Sequence, residues 1–302
     1  MTWSVCVRTG TVMTAAKKIV FQGERGANSH LASREVYPDY EAVPCATFED
    51  AFAAISSGEA DLGMIPVENS VAGRVADIHH LMPQANLYIV AEHFLRVHHQ
   101  LLATPGAQIQ TIRTVRSHIH ALGQCRKIIR ELKLQSVVAA DTAGAAREVA
   151  AARDPSAAAI ATTLAAEIYG LEVLKANIED DDHNTTRFIV LSANPDDAEP
   201  EDAPVITSFI FRVRNVPAAL YKALGGFATN GVNMIKLESY QLEGQFAATQ
   251  FYADIEGHPQ ERPVRLALEE LQFFTSHMRI LGVYKAHPFR AEIARRAQGG
   301  QE

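Results

Sequence analysis

Thirteen residues from Ser192 to Pro204, Ser-Ala-Asn-Pro-Asp-Asp-Ala-Glu-Pro-Glu-Asp-Ala-Pro, hold three prolines and five acids with almost nothing to bury. Such a stretch can neither continue a sheet nor seed a core, so it divides the chain into units that must fold on their own apolar residues. At 302 residues and 47% hydrophobic content there is enough material on both sides. The expected organisation is an extension over 1–17, a first unit over 18–193, a connector over 194–204, a second unit over 205–290 and a polar, frayed tail over 291–302.

Before the connector, short β-like runs alternate with helical ones. The strands expected are Lys18 to Gln22, Leu62 to Pro66, Tyr88 to Ala91, Gln100 to Ala103, Val137 to Ala140, Ala157 to Ala161 and Phe188 to Leu191. Helices are expected over Phe48 to Ser56, Ile119 to Leu132 and Ala143 to Ala152, with Thr47, Ser117 and Asp141 as caps. Alternation of this kind predicts parallel α/β layers. After the connector the order becomes strand, helix, strand, strand, helix, strand. Val205 to Val213 alternates as a strand, and Asn215 caps a helix that runs through Leu220, Leu224 and Phe227 to Gly231. A hairpin of Val232 to Tyr240 and Phe246 to Ile255 turns at Glu243-Gly244, before a helix over Val264 to Phe274 and a strand over Met278 to Tyr284.

A net charge of −7 argues against a general nucleic-acid or anionic-membrane binder, so an anionic ligand must be attracted locally. Cys6, Cys45 and Cys125 are odd in number and far apart, which suggests neither a disulfide framework nor a zinc knuckle. No apolar run reaches the roughly 20 residues that span a bilayer. Met1 to Ala16 shows no periodicity and no signal-peptide pattern, and Met13 is an alternative start. The expected location is the cytoplasm.

The richest run is Asn184-Thr185-Thr186-Arg187-Phe188, which sets a hydroxyl beside a guanidinium at the start of a strand. A guanidinium can grip a carboxylate through two parallel charge-assisted bonds while a hydroxyl donates or relays a proton. An Arg on a strand edge beside a Thr of good strand propensity has the same sequence, so the run gains meaning only from its companions. Those are Ile65 to Arg74 with Glu68-Asn69-Ser70, Val115 to Cys125 with Ser117-His118 and Gln124, Asp141 to Ala146, and Phe21 to His30. Asn69-Ser70, Ser117 and Thr142 fall at expected strand-to-helix junctions, where unpaired N–H groups favour anions and where the same residues serve as plain caps. Ser117 and Gln124 are seven residues apart, two turns along one helix face.

The histidine pairs His79-His80, His98-His99 and His118 with His120 lack the i, i+4 spacing and third ligand of a common metal site, so no metal is expected. Gly23 and Gly26 lack the third glycine of a dinucleotide loop, and a nucleotide cofactor is rejected. No G-x-S-x-G elbow supports acyl transfer. The acidic run Glu179 to Asp182 reads as a solvated turn.

The five runs, in this order, resemble the prephenate dehydratase family, and the resemblance extends from about Lys18 to Arg290. It implies two α/β lobes like type II periplasmic binding proteins, an active site between them and no cofactor. It implies decarboxylating dehydration of prephenate to phenylpyruvate, with arogenate dehydratase, which gives phenylalanine directly, as the alternative. A non-catalytic amino-acid sensor that kept the two-lobed fold is the alternative from another class. Thr186 matches the threonine that protonates or hydrogen-bonds the leaving hydroxyl, and Arg187 matches an arginine for a substrate carboxylate. Asn69, Ser117 and Gln124 match polar residues that orient the substrate, with Glu68 close by. The second unit resembles a ferredoxin-like ACT domain. Its phenylalanine-binding segments fall at Ala218-Ala219-Leu220, where the usual first residue is Gly, and at Glu238-Ser239, where Tyr240-Gln241 replaces the usual Arg-Pro. The resemblance implies feedback by L-phenylalanine and a homodimer or homotetramer.

Overall fold

The computed structural model describes residues 16–75, 78–202, 204–214, 216–241 and 248–299. The expectations for Met1 to Ala15 with Cys6 and Met13, for the Asn215 cap, for the Glu243-Gly244 turn and for the last three residues lie outside them.

The first lobe comprises β1 (Lys18–Gln22), α1 (Asn28–Val36), β2 (Glu41–Cys45), α2 (Phe48–Ser56), β3 (Leu62–Asn69), β4 (Gly73–Arg74), α3 (Ile78–Leu81) and β5 (Tyr88–Arg96). The chain then crosses to a second lobe. There it forms β6 (Gln100–Ala103), β7 (Thr114–Ser117), α4 (Ile119–Gln124), α5 (Arg126–Glu131), β8 (Gln135–Val138), α6 (Thr142–Ala152), β9 (Ala157–Ala161), α7 (Thr163–Tyr169) and β10 (Glu172–Lys175). It crosses back as β11 (Thr185–Ser192). The sheets are ordered β2-β1-β3-β11-β5 and β10-β6-β9-β7-β8.

The expected parallel layers hold only in part. β1 pairs parallel with β2 and β3, and β7 with β8 and β9. β11 runs against β3 and β5, and β6 against β9 and β10. The reversed strand in each lobe is the one by which the chain enters that lobe from the other, and strand/helix alternation along the sequence cannot see it.

Local chemistry explains the helix starts. Thr47 and Asp50 form a reciprocal capping box at α2, with Asp50 N donating to Thr47 Oγ1 (3.1 Å) and Thr47 N to Asp50 Oδ2 (3.2 Å). Asp141 caps α6 by accepting from Gly144 N (2.7 Å). The helix expected over Ile119 to Leu132 is broken at Cys125. Asp180 takes up the backbone groups freed there: its N donates to the Gln124 carbonyl (2.6 Å), and its carboxylate accepts from Arg126 N (2.9 Å) and Lys127 N (3.0 Å). Glu179 is tied to His98 Nδ1 (2.8 Å) and His99 N (2.9 Å). Glu179 and Asp180 are therefore structural anchors rather than parts of a solvated turn.

Beyond the connector, β12 (Val205–Val213), α8 (Ala219–Thr229), β13 (Met234–Gln241), β14 (Ala248–Glu256), α9 (Arg262–Phe274) and β15 (Thr275–Lys285) make an antiparallel sheet ordered β13-β14-β12-β15. This is the ferredoxin-like βαββαβ topology. Phe209, Phe211, Phe251 and Ile255 pack under α8 and α9 on one face. The other face lies on the first lobe, where Ile206, Ile210, Tyr252, Leu281 and Tyr284 share one core with Ile65, Val67, Ile89, Ile189 and Leu191. The connector is not loose: Ala198 N donates to the Val283 carbonyl (2.8 Å), and Asp202 pairs with Lys285 (2.9 Å). The tail expected to fray is instead α10 (Phe289–Gly299). Its Ala, Glu and Arg content favours helix, and its first residues dock: Phe289 packs on Phe94 (5.2 Å), and both carboxylate oxygens of Glu92 accept from Arg290 (2.5 and 2.6 Å).

Gly282 sits where β15 crosses β5, and a Cβ there would collide with the Ile89 carbonyl oxygen. Backbone cannot yield as a flexible side chain can. Gly282→Ala is expected to destabilise the protein by about 1–3 kcal/mol, the usual cost of overpacking. Urea unfolding of the two proteins measures this, and an unchanged midpoint would refute the tight crossing.

Candidate functional site

The antiparallel pairing of β11 with β3 assembles the site. Its register sets Thr186 opposite Asn69 and Arg187 opposite Glu68, bringing together two runs more than 100 residues apart in sequence. Successive strand residues face opposite sides of a sheet, so Thr186 and Arg187 cannot serve one ligand from one face.

On the Thr186 side, Asn69 Oδ1 accepts from Val71 N (3.0 Å) and Ala72 N (2.8 Å), closing a turn into β4 rather than capping a helix. Its Nδ2 donates to Thr186 Oγ1 (2.9 Å) and to Asn184 Oδ1 (2.7 Å). Asn184 Nδ2 donates to Gln124 Oε1 (2.8 Å), which also meets His99 Nε2 (2.9 Å). Thr186 thus accepts from Asn69, and its own proton is free for another partner. Gln124 lines a cavity of about 500 Å³ between the lobes, with Val71 and Ala72 on one side and Ile119, His120, Arg126 and Val138 on the other. That volume lies within the roughly 300–1,000 Å³ of small-molecule clefts. Arg126 is exposed beside Gln124.

Arg187 requires a correction. It was expected on a substrate carboxylate, but it is 2% exposed and turned toward the ferredoxin-like sheet. Its Nε donates to Glu92 (2.9 Å), Nη1 to Glu68 (3.0 Å) and Asp254 (2.6 Å), and Nη2 to the Tyr284 hydroxyl (3.0 Å). Ser208 donates to the other oxygen of Asp254 (2.5 Å) and Lys236 to Glu68 (2.6 Å). Three carboxylates, Glu68, Glu92 and Asp254, are matched by three cations, Arg187, Lys236 and Arg290. Burial works to raise the Asp254 and Glu68 pKa values, but Arg187 and the Ser208 hydroxyl at Asp254, and Lys236 with Arg187 at Glu68, hold both below the ordinary carboxylate range. Glu68 is therefore part of this ion cluster rather than of the cleft.

Ser117 is corrected as well. It is wholly buried, its hydroxyl donates to the Ile160 carbonyl (2.6 Å), and His118 is the residue that caps α4. Ser117 pins β7 to β9, and the helix-face argument linking it to Gln124 fails because α4 starts after it. Glu238 is committed to Arg74 (3.3 Å) and Lys236 (3.4 Å) on the first-lobe side of β13, while its neighbour Ser239 is exposed. Ala218 adopts φ +60° at the start of α8, which accounts physically for the glycine usual at that position. Ala219 and Leu220 follow as the first helical residues. The Phe21 to His30 run joins the lobes: Thr162 Oγ1 donates to the Gly26 carbonyl (2.5 Å), and a Cβ on Gly26 would lie 2.8 Å from Ala165 Cα.

His99 and Asn184 are the participants missed among the candidates. Asn184 stood in the quoted run without a role, and His99 is joined to the site only through a contact with Gln124 that nothing local announces. Among the described residues no group of three His, Cys, Asp or Glu side chains could hold a metal, and no helix is long and apolar enough to cross a membrane.

Residues 19–196 match the family model described as prephenate dehydratase. A relative from Komagataeibacter europaeus, described as a bifunctional N-acyl-homoserine lactone acylase/prephenate dehydratase, is 51% identical over 92% of this chain and 99% of its own. Arogenate dehydratase 2 of Petunia hybrida is 36% identical over 88% of this chain and 71% of its own. Among solved structures, prephenate dehydratase from Arthrobacter aurescens in complex with L-Phe superposes with a TM-score of 0.82 at 30% identity, covering 89% of this chain and 90% of that one.

Replacing the planar fork of Arg187 by an ammonium leaves at least one buried carboxylate short of a partner. Arg187→Lys is expected to cost about 3 kcal/mol or more in stability, in the range for broken buried ion pairs. Chemical denaturation gives the number. Full stability together with a raised KM would return Arg187 to the substrate.

Proposed function

This chain belongs to the prephenate dehydratase family, and we propose that it converts prephenate to phenylpyruvate in L-phenylalanine synthesis. The observation that carries this reading is the Thr186 hydroxyl, which accepts from Asn69 and so keeps its proton for a leaving oxygen. The reaction breaks two bonds to substituents on the substrate ring. Electrons from the carboxylate C–C bond move into the ring as CO2 departs, the C–O bond of the hydroxyl breaks, and one proton makes the hydroxyl leave as water. Thr186 gives that proton at the leaving oxygen and regains one from solvent. A threonine is a weak acid, so the forming aromatic ring supplies most of the drive and the oriented donor lowers the remaining barrier. Gln124 Nε2 and the Arg126 guanidinium are donors for the substrate carboxylates among the side chains that line the cavity.

Arogenate differs from prephenate in carrying an ammonium in place of a keto oxygen. The cavity lining contains a cation and no carboxylate, which supports the keto acid as the better substrate. Acyl transfer, named for the Komagataeibacter relative, lacks support at the cavity: no serine lining it is hydrogen-bonded to a histidine or a carboxylate among the described residues. Cys45 and Cys125 are free thiols, in keeping with a cytoplasmic enzyme.

Thr186→Val removes the hydroxyl and nearly preserves shape. It is expected to lower kcat about 100-fold or more with little change in KM, the signature of an interaction made in the transition state. Product identification with prephenate and with arogenate is the companion measurement. Turnover by the valine variant at the parent rate would overturn the role of Thr186.

The ferredoxin-like module acts, in this reading, as an ACT domain that binds L-phenylalanine, supported by the Phe complex of the Arthrobacter relative. Ala218, Ala219, Leu220 and Ser239 are the effector residues, and Glu238 is withdrawn from that set by its ion pairs. The edge of β13 carries exposed Leu237 and Ser239, a surface suited to pairing in a homodimer or homotetramer. Calorimetry on the intact protein is expected to show saturable phenylalanine binding that accompanies inhibition, and absence of binding would remove the regulatory role.

A further inference from the structure

A side-chain amide has two ends of the same shape and opposite polarity, and three of them stand in series behind the Thr186 hydroxyl. Asn69 cannot turn around, because its oxygen accepts two backbone N–H groups. Asn184 follows Asn69, since its oxygen must face the Asn69 NH2. Gln124 has no backbone partner for its side-chain amide among the described residues and lines the cavity. Two side chains hold its oxygen, Asn184 Nδ2 and the ring of His99.

The His99 ring is 4% exposed, and burial pushes its pKa below the ordinary value, against the opposing pull of Gln124 and Glu179. A neutral imidazole carries one proton and has two places to put it. With that proton on Nε2, the ring donates to Gln124 Oε1 and the Gln124 NH2 faces the cavity. With it on Nδ1, the bare Nε2 would attract the Gln124 NH2, set it against the Asn184 NH2 and present the Gln124 oxygen to an anionic substrate. The two tautomers therefore give the cavity opposite polarity at the same atom positions.

We infer that His99 is a positioning residue, whose proton on Nε2 is held by the Gln124 oxygen and so fixes the NH2 end of Gln124 toward the substrate, in the same sense as Asn69 and Asn184 set it from the other side. This rests on the dehydratase reading for its consequence in catalysis, but not for the tautomer. The backbone of His99 is itself held by Glu179 Oε2 at its N–H and by Ile178 N at its carbonyl (both 2.9 Å), so the ring enters from a fixed point.

The test compares the full-length parent with His99→Leu, His99→Gln, Gln124→Leu and the His99→Leu/Gln124→Leu double variant, using prephenate. Loss of the donor in His99→Leu should lower kcat/KM by about tenfold or more, and His99→Gln, whose amide can donate, should recover most of it. Because His99 acts through Gln124, adding His99→Leu to Gln124→Leu should change kcat/KM by less than about twofold. Equal losses for the leucine and glutamine variants, or full additivity in the double variant, would overturn the inference. Nitrogen-15 NMR of the parent reads the ring directly: a neutral His99 protonated at Nε2 is expected at neutral pH, and protonation at Nδ1 overturns the proposal even if every variant misfolds. A parent that dehydrates neither prephenate nor arogenate would refute the proposed function while the NMR result still decides the tautomer.

Discussion

Arg187 is the charge on which the arrangement of this molecule depends. It lies in β11, between β3 and β5 of the first-lobe sheet, and its guanidinium is shared among carboxylates from β3, β5 and β14, so it joins the lobe to the ferredoxin-like module. A group this buried is tolerated only because each of its nitrogens has a partner and the cluster is neutral as a whole. Hydrophobic residues could pack the same two sheets at no electrostatic cost, but they would not fix register. The directional bonds specify which strand lies over which, and the Gly282 crossing leaves little room for another answer.

The strand that carries this cluster also carries the proposed proton donor. Thr186 faces Asn69 and Arg187 the module, one peptide unit apart on opposite sides of β11, so a shift of β11 driven from the module side also moves Thr186. Coupling between two sheets needs some element that both contact, and here a single strand serves.

Much of the fold was legible from periodicity and caps. Lys18 to Gln22, Phe48 to Ser56, Gln100 to Ala103, Ala157 to Ala161 and Val205 to Val213 lie where alternation and the Thr47 capping box put them, because those signals are local. What escaped was set by distant partners. The helix break at Cys125 is made by Asp180, 55 residues later in the chain, and α10 is stabilised at its start by Glu92, far upstream. The site was legible as a set of residue types but not as a geometry. Thr186 beside Arg187 suggested one ligand held by both, and the two-residue repeat of a strand separates them onto opposite faces. Ser117 illustrates the same limit: its hydroxyl could equally orient a substrate or tie two strands, and only burial decides.

The two segments that cross between the lobes lie against each other, with Val97 N donating to the Asn184 carbonyl and Ile178 N to the His99 carbonyl, each at 2.9 Å. The amide chain from His99 to Thr186 sits at this junction rather than out on the lobe faces. A hinge is the one place in a two-lobed molecule that barely moves when the lobes part. Val71 and Ile119 line the cavity from different lobes, so any parting of the lobes separates them, whereas His99 and Asn184 lie on the crossing segments themselves. Substrate entry and exit need not disassemble the hydrogen-bonded set proposed to act on it.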